Sequence, residues 1–312
     1  MAGLLGRPLI LDMRDAWSQW AITPYASILH YHFTKRLEFK AIELASQVLV
    51  TSEQTRLDLL KTHPSVDERK ISTITNSFEE DYSSVEASRN GIRCDAFKIG
   101  YVGSFYYEPY QRKMIFSPWW KKKIHHIFQY SPKKEDWLYR SPEFFLRAVS
   151  DLRIISPSAY EKLEVEFVGA IPSWLPSMIA RYDVGDKVRL LGPVSRVTSL
   201  EFQKGCDALL ITSSKVVDGR DYSIAGKTFE YVAMGLPIIA FVCDGAQKDI
   251  LNRTGLAKIC DPENRDEAVE GLRQIIEGEF VLRPNLDEIR KLSIADCVKQ
   301  LASVIREVEI KP

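Results

Sequence analysis

The densest chemistry in the sequence lies in Ser223-Ile224-Ala225-Gly226-Lys227-Thr228-Phe229-Glu230-Tyr231-Val232-Ala233-Met234-Gly235-Leu236-Pro237. Apolar residues recur at helical period from Lys227 to Met234, with a glycine at each end. A helix starting at Gly226-Lys227 offers free backbone N–H groups and the positive end of its dipole, and Gly226 lets a ligand approach the backbone. Lys227 adds a full charge, and the combination suits a diphosphate. Glu230 lies one turn on, shares a face with Lys227 and is a candidate acceptor for ribose hydroxyls. A Lys–Glu pair at this spacing is by itself an ordinary surface ion pair. The whole glycine-flanked arrangement favours the anion site.

Other candidates sit where strands should end. Gly103-Ser104 follows the apolar run 99–102 as a glycine turn at a strand's end. Ser213-Ser214 follows 208–211, at a strand's carboxyl end, where open α/β sheets bind ligands. Arg140 precedes a helix opening at Ser141-Pro142-Glu143 and offers a bidentate fork to phosphate; a solvated arginine is the competing reading. Asp221, Tyr222 and Ser223 lie before the Gly226 turn. Their polar side chains could hydrogen-bond a ligand, against plain turn chemistry for Asp218-Gly219-Arg220-Asp221. In Asp12-Met13-Arg14-Asp15, Asp12 or Asp15 would position an acceptor hydroxyl and Arg14 an anionic group, with Trp17 beside them. A buried ion pair fixing the loop explains the same cluster equally well. His30, His32, His63, His125 and His126 form no defensible triad or metal set and read as exposed or packing histidines.

Short β-branched-rich runs that would position these residues occur at 9–11, 48–50, 71–74, 99–102, 165–168, 188–191, 208–211 and 238–242. Helical periods lie between most of them, at 33–45, 53–60, 142–154, 200–206, 227–234 and 266–276. This alternation predicts right-handed βαβ units in an α/β, doubly wound fold. A length of 312 residues suits two such domains. The polar segment 79–94 predicts a linker, giving a first domain over 1–93 and a second over 94–293. Residues 105–139 read as an insertion carrying Trp119, Trp120 and Trp137 beside Lys121-Lys122-Lys123, and 294–312 as a terminal helix.

Lys+Arg and Asp+Glu both number 42, so no global field gathers nucleic acid, and any anion site must be local. The five cysteines have no metal-ligand spacing and read as reduced thiols, which predicts a cytoplasmic protein. No apolar run is long enough to span a bilayer, and the first residues lack a signal-peptide pattern.

Gly226-Lys227-x-Phe229-Glu230-Tyr231-x-Ala233-x-Gly235-x-Pro237-Ile238-Ile239-Ala240 resembles the donor-site signature of retaining GT-B glycosyltransferases, those of group 1 or family 4. Asp12-Met13-Arg14-Asp15-Ala16-Trp17 is similar to the family's D-x-R-D-x-W segment, and Ile74-Thr75-Asn76-Ser77-Phe78 to its I-x-N-G-F stretch, with Ser77 for glycine. The resemblance implies twin Rossmann-like domains of GT-B type, with a complete C-terminal domain and a truncated N-terminal one, since the D-x-R-D-x-W segment starts so early. It implies a nucleoside-diphosphate sugar as donor and a glycan or lipid-linked acceptor, as in polysaccharide biosynthesis, with retention and with neither metal nor cofactor. Lys227 and Arg140 would bind diphosphate, Glu230 the ribose, and Gly103, Ser104, Ser213 and Gly226 would line the donor. The family's sugar-contacting glutamate, eight residues before Glu230, is replaced by Tyr222, whose neighbours Asp221 and Ser223 would hydrogen-bond the donor sugar with it. A missing N-terminal fragment or partner subunit is a further expectation. So is peripheral contact of 105–139 with the inner face of the membrane, against a lid or protein-partner surface. A non-catalytic nucleotide-sugar-binding subunit and a GT-B-fold epimerase are the competing functions.

Overall fold

The computed structural model describes residues 7–19, 24–79 and 96–310. The expected linker, apart from Glu79, and the boundary at Cys94 lie outside them. The first lobe runs β1 (Ile10–Met13), α1 (Ile28–Leu44), β2 (Gln47–Val50), α2 (Glu53–Thr62) and β3 (Ile71–Thr73). Its strands form a parallel sheet in the order β1-β2-β3. Both helices start at a serine whose hydroxyl accepts a first-turn N–H, Ser27 from His30 and Ser52 from Thr55. Every residue of β2 is buried, and Ile42, Leu59, Val48, Val50 and Ile71 close around it. Within this core the Glu38 carboxylate meets His63 Nε2 at 2.8 Å and accepts the Ser18 N–H at 3.0 Å, so His63 is a packing histidine. The expectation of a truncated first lobe is corrected here. Three strands suffice because the connecting helices bring apolar side chains onto them, giving the lobe a Rossmann-like sheet and a core of its own.

The second lobe continues through β4 (Phe97–Val102), α3 (Pro109–Phe116), β5 (Glu135–Asp136), α4 (Glu143–Ile155), α5 (Pro157–Lys162), β6 (Leu163–Val168), α6 (Trp174–Arg181) and β7 (Val188–Gly192). After these come α7 (Arg196–Lys204), β8 (Ala208–Thr212), β9 (Lys215–Val216), α8 (Lys227–Met234), β10 (Ile238–Phe241), α9 (Ala246–Thr254) and β11 (Ala257–Cys260). Helices α10 (Arg265–Ile276), α11 (Leu286–Arg290) and α12 (Ile294–Ile310) follow. Six parallel strands lie in the order β11-β10-β8-β4-β6-β7. The chain enters at β4, builds outward to β7, then crosses back to β8 and builds the other way. That reversal opens a crevice over the carboxyl ends of β4 and β8. The strands beside it read as continuous apolar runs because helices cover both faces, one core containing Phe145, Leu152 and Val165, the other Leu209, Phe229 and Tyr231.

Residues 105–139 leave the main sheet through α3 and short 3₁₀ turns and return as β5, which pairs antiparallel with β9. The lobes touch directly: Ser52 Oγ donates to the Tyr222 carbonyl at 2.6 Å, Arg220 Nε donates to Gln54 Oε1 at 3.1 Å, and Lys133 pairs with Asp58. Among the described residues no helix is long and apolar enough to cross a membrane.

The loops after β4 and β6 meet backbone to backbone. Gly169 has φ +139°, and a Cβ there would lie 2.4 Å from the Gly103 carbonyl oxygen, itself in a residue with φ +105°. Gly169→Ala is therefore expected to destabilise the protein by roughly 2–4 kcal/mol, combining backbone strain with overpacking. Urea unfolding measures this; a loss below about 0.5 kcal/mol, the level of an indifferent surface change, would show that the loops separate freely.

Candidate functional site

The crevice over β4 and β8 is a cavity of about 280 Å³ lined by Tyr101, Arg140, Ser213, Ser223, Lys227 and Gln247, among others. Lys227, the first residue of α8, is drawn back into it. Its Nζ lies 3.6 Å from the centroid of the Tyr101 ring and has no hydrogen-bond partner among the described residues. Burial pushes its pKa down to about 7, against the opposing pull of Glu230. The ring face attracts the cation but supplies no counter-charge. Phe105 stacks on Tyr101 at 3.9 Å and holds it flat beneath the ammonium. Gly103 completes the enclosure: a Cβ there would come within 3.4 Å of Lys227 Nζ.

Arg140 enters from the 3₁₀ turn that ends the insertion. Its Nη2 donates to Ser223 Oγ at 3.1 Å and approaches Ser214 Oγ at 3.4 Å, and its carbonyl accepts from Thr212 Oγ1 at the end of β8. Asp221 braces these serines from behind. Fully buried, it accepts from Ser223 N–H, Ser223 Oγ and Ser214 Oγ. Desolvation raises the Asp221 pKa against the pull of Arg140. Asp221 is thus saturated by protein donors, while Ser213 and Ser223 line the cavity. The Tyr222 hydroxyl is pushed up by burial and then by the neighbouring Glu135 carboxylate. The Ser104 carbonyl accepts from Tyr101 OH at 3.0 Å, fixing the loop.

Glu230 faces a second cavity of about 180 Å³ with Arg196, Ser77 and Phe78, and its carboxylate lies 3.4 Å from Arg196 Nη1. Although Lys227 and Glu230 are one turn apart, the start of α8 separates them into adjoining cavities. Gly226 lines both, and a Cβ there would meet no protein atom within 4 Å. No side chain caps this helix start, and the Thr228 and Phe229 N–H groups turn back to the Ala225 and Gly226 carbonyls at 2.9 and 3.2 Å, so the end of the helix dipole rather than a set of free N–H groups meets this space.

A third cavity of about 690 Å³ lies between the first lobe and α12 and contains Asp12 and Arg14. Ser77 lines both this cavity and the Glu230 one, so the three adjoin in series. Arg14 Nε lies 3.2 Å from Asp12 and Nη1 donates to Asn76 Oδ1 at 2.6 Å, an ion pair that is half-exposed rather than buried. Asp15 is exposed, and Trp17 is partly exposed with its carbonyl accepting the Tyr25 hydroxyl. Neither lines the cavity. Among the described residues no group of three or more His, Cys, Asp or Glu is placed to hold a metal ion.

Two residues escaped the sequence reading. Gln247 on α9 is buried; its Oε1 accepts Ala225 N–H at 2.8 Å and Thr228 Oγ1 at 3.1 Å, leaving Nε2 without a partner at the cavity wall. Glu135 on β5 is buried, accepts Trp137 Nε1 at 2.8 Å, and lies 3.7 Å from Arg140 Nη2. No motif marks Gln247, and Glu135 falls within the insertion, outside the strand-and-helix pattern of the sequence.

Residues 137–278 match the family model described as glycosyl transferases group 1, a span that includes Arg140, Lys227, Glu230 and Gln247. No curated protein matches the sequence. Among solved structures, the chain is similar to sucrose-phosphate synthase from Thermosynechococcus elongatus, with 14% identity and a TM-score of 0.62 over 98% of this chain and 69% of that one. It is also similar to the lipopolysaccharide outer core galactosyltransferase WaaB, with 14% identity and a TM-score of 0.58 over 96% of this chain and 75% of that one. A third is alpha,alpha-trehalose 6-phosphate synthase from Burkholderia multivorans, with 10% identity and a TM-score of 0.58 over 98% of this chain and 68% of that one. Likeness at such identities establishes the fold. The superpositions run across both lobes, which overturns the expected truncation: the chain has the twin Rossmann-like architecture of the GT-B fold.

Proposed function

We propose that this protein transfers a glycosyl group from a nucleoside-diphosphate sugar to a glycan or lipid-linked acceptor. One observation carries the proposal: two buried donors, Lys227 Nζ and Gln247 Nε2, converge on the switch-point cavity without acceptors among the described residues. Leaving such groups unpaired costs free energy that an anionic ligand returns. The diphosphate takes the crevice, against Lys227, Arg140 and the start of α8. The nucleoside runs past Gly226 into the adjoining cavity, where Glu230 accepts ribose hydroxyls, as the family match and the GT-B fold support. The sugar then lies near Ser213, Ser223 and Tyr222, and the acceptor comes from the side of Asp12 and Arg14.

In the reaction the bond between the anomeric carbon and the diphosphate oxygen breaks, and negative charge grows on the leaving diphosphate. Lys227, Arg140, the Gln247 amide and the dipole of α8 meet that charge with fixed dipoles and cations. The acceptor hydroxyl attacks from the leaving-group face, retaining the anomeric configuration, and its proton passes to the leaving oxygen. Side-chain cations perform the electrostatic work in this scheme.

Isothermal titration with UDP, GDP and their sugars tests the site. Lys227→Ala is expected to weaken nucleotide binding by about 1.5–3 kcal/mol, the range for hydrogen bonds to a charged group. Unchanged affinity would remove the diphosphate from this cavity.

Proton linkage gives a second test. With the Lys227 pKa near 7 in the free protein, anion binding must restore its proton, so affinity is expected to fall by up to about tenfold per pH unit from pH 7.5 to 9. Lys227→Met should flatten that slope; a flat profile in the unsubstituted protein would contradict the linkage.

The same burial sets the sign of a stability effect. The folded pKa lies below the ordinary 10.5, so the unfolded chain binds more protons between the two values and stability rises across that window. Below pH 7 the whole penalty is present. Lys227→Met is therefore expected to raise ligand-free stability at pH 6 by on the order of a few kcal/mol, with the gain shrinking toward pH 10. Denaturant unfolding at pH 6 and 9 measures it, and a destabilised variant at pH 6 would refute the cost assigned to the ammonium.

A further inference from the structure

Helix α1 and the insertion expose apolar side chains that no described element covers. On α1 these include Leu29, 77% exposed, together with Ile28, Phe33 and Leu37. On the insertion they are Trp119, Trp120, Phe128 and Ile124, the last 84% exposed. The runs belong to different lobes but are joined. Tyr25 and Tyr130 exchange backbone hydrogen bonds at 2.8 and 3.0 Å, and the Tyr31 and Tyr130 rings lie 5.0 Å apart. Phe128 leads into that junction on one side, and Ile28 and Leu29 leave it on the other.

Charge is distributed with equal bias. Residues 109–134 contain no Asp or Glu, in a chain whose total charge is zero. Arg112 and Lys133 are held by Asp136 and Asp58, but Lys113, Lys121, Lys122 and Lys123 enter no ion pair among the described residues. On α1, Arg36 and Lys40 are exposed, whereas Glu38 is turned inward to His63 and Ser18. The exposed acids nearby, Glu43 and Glu108, lie at the margins, near the end of α1 and just before α3.

We propose that α1 and residues 109–130 together form a docking surface for an anionic lipid bilayer. Exposed indole and aliphatic groups interleaved with free lysines suit the headgroup region, where rings sit at the interface and lysines reach anionic lipid. A second copy of the chain fits poorly, because an isologous contact would set these cations against each other. The proposal rests on neither the donor site nor the transfer reaction, and its test requires no turnover.

Flotation of the full chain with phosphatidylcholine vesicles and with phosphatidylcholine–phosphatidylglycerol vesicles at 7:3 decides it. Recovery is expected with the anionic vesicles only, declining between 0.1 and 0.5 M NaCl, with a blue shift of tryptophan emission on binding. The triple variant Lys121→Gln, Lys122→Gln, Lys123→Gln is expected to lose roughly a hundredfold in partitioning, and Leu29→Ser with Phe33→Ser at least about tenfold. Circular dichroism checks that each variant folds, and the salt dependence of the unsubstituted chain stands without any variant. Equal recovery on both vesicle types, no recovery on either, or full binding by the lysine variant would overturn the surface. Full binding by the α1 variant would overturn its composite nature.

Discussion

The second lobe is organised around a buried cation that no described residue meets with a hydrogen bond or a direct ion pair. Lys227 lies against the face of Tyr101, beneath Gly103, at the point where the order of the six-stranded sheet reverses. Each neighbour serves that enclosure. Phe105 stacks on Tyr101 from the far side, Tyr231 OH accepts the Val102 N–H to hold the end of β4, and Gly169 supplies room for the Gly103 loop. The buried ammonium makes the empty protein less stable than an apolar replacement would, and this is why its burial points to a ligand. A lysine needed only for solubility would extend into water.

Strand order explains why the remaining groups meet there. β4 and β8 are neighbours, yet everything between them in sequence winds outward through β6 and β7 before returning. The loop after β4, the turn before α4 and the loop from β8 to α8 therefore converge from distant stretches. Gly103, Arg140, Ser213 and Lys227 owe their proximity to the topological reversal.

This also sets what was legible in advance. Apolar runs placed every strand of the two main sheets except β11 to within two residues, because buried parallel strands carry continuous β-branched stretches. The run 227–234 was equally clear, its glycines marking both ends of α8. Ala257–Cys260 escaped because an edge strand with a lysine in it carries no such run, and α9 because its apolar positions are few. The first lobe was misjudged from the early position of the D-x-R-D-x-W segment; α1 and α2 contribute Ile42 and Leu59 to its core, and helix burial is invisible to that position. Gln247 was illegible for another reason. Its role follows from Ala225 N–H and Thr228 Oγ1 occupying its oxygen, a relation that exists only once α9 packs beside α8.

The two cations of the crevice are held in opposite ways, and the contrast bears on how such a site would act. Arg140 is fixed before any ligand arrives, by Ser223 and Ser214, by the nearby Glu135 carboxylate and by the face of Trp137, 5.2 Å from its guanidinium. Such a group presents its charge without reorganising when an anion appears. Lys227 carries its proton only marginally near neutral pH, because burial opposes it more strongly than Glu230 favours it. Its charge is completed by the ligand, so its interaction strengthens as negative charge collects beside it. A fixed arginine suits orientation of a diphosphate already bearing charge, while a lysine whose protonation follows the ligand responds most when a leaving group gains more. Glu135 belongs to the first arrangement: near the end of the insertion, it ties that segment to the arginine that faces the proposed leaving group.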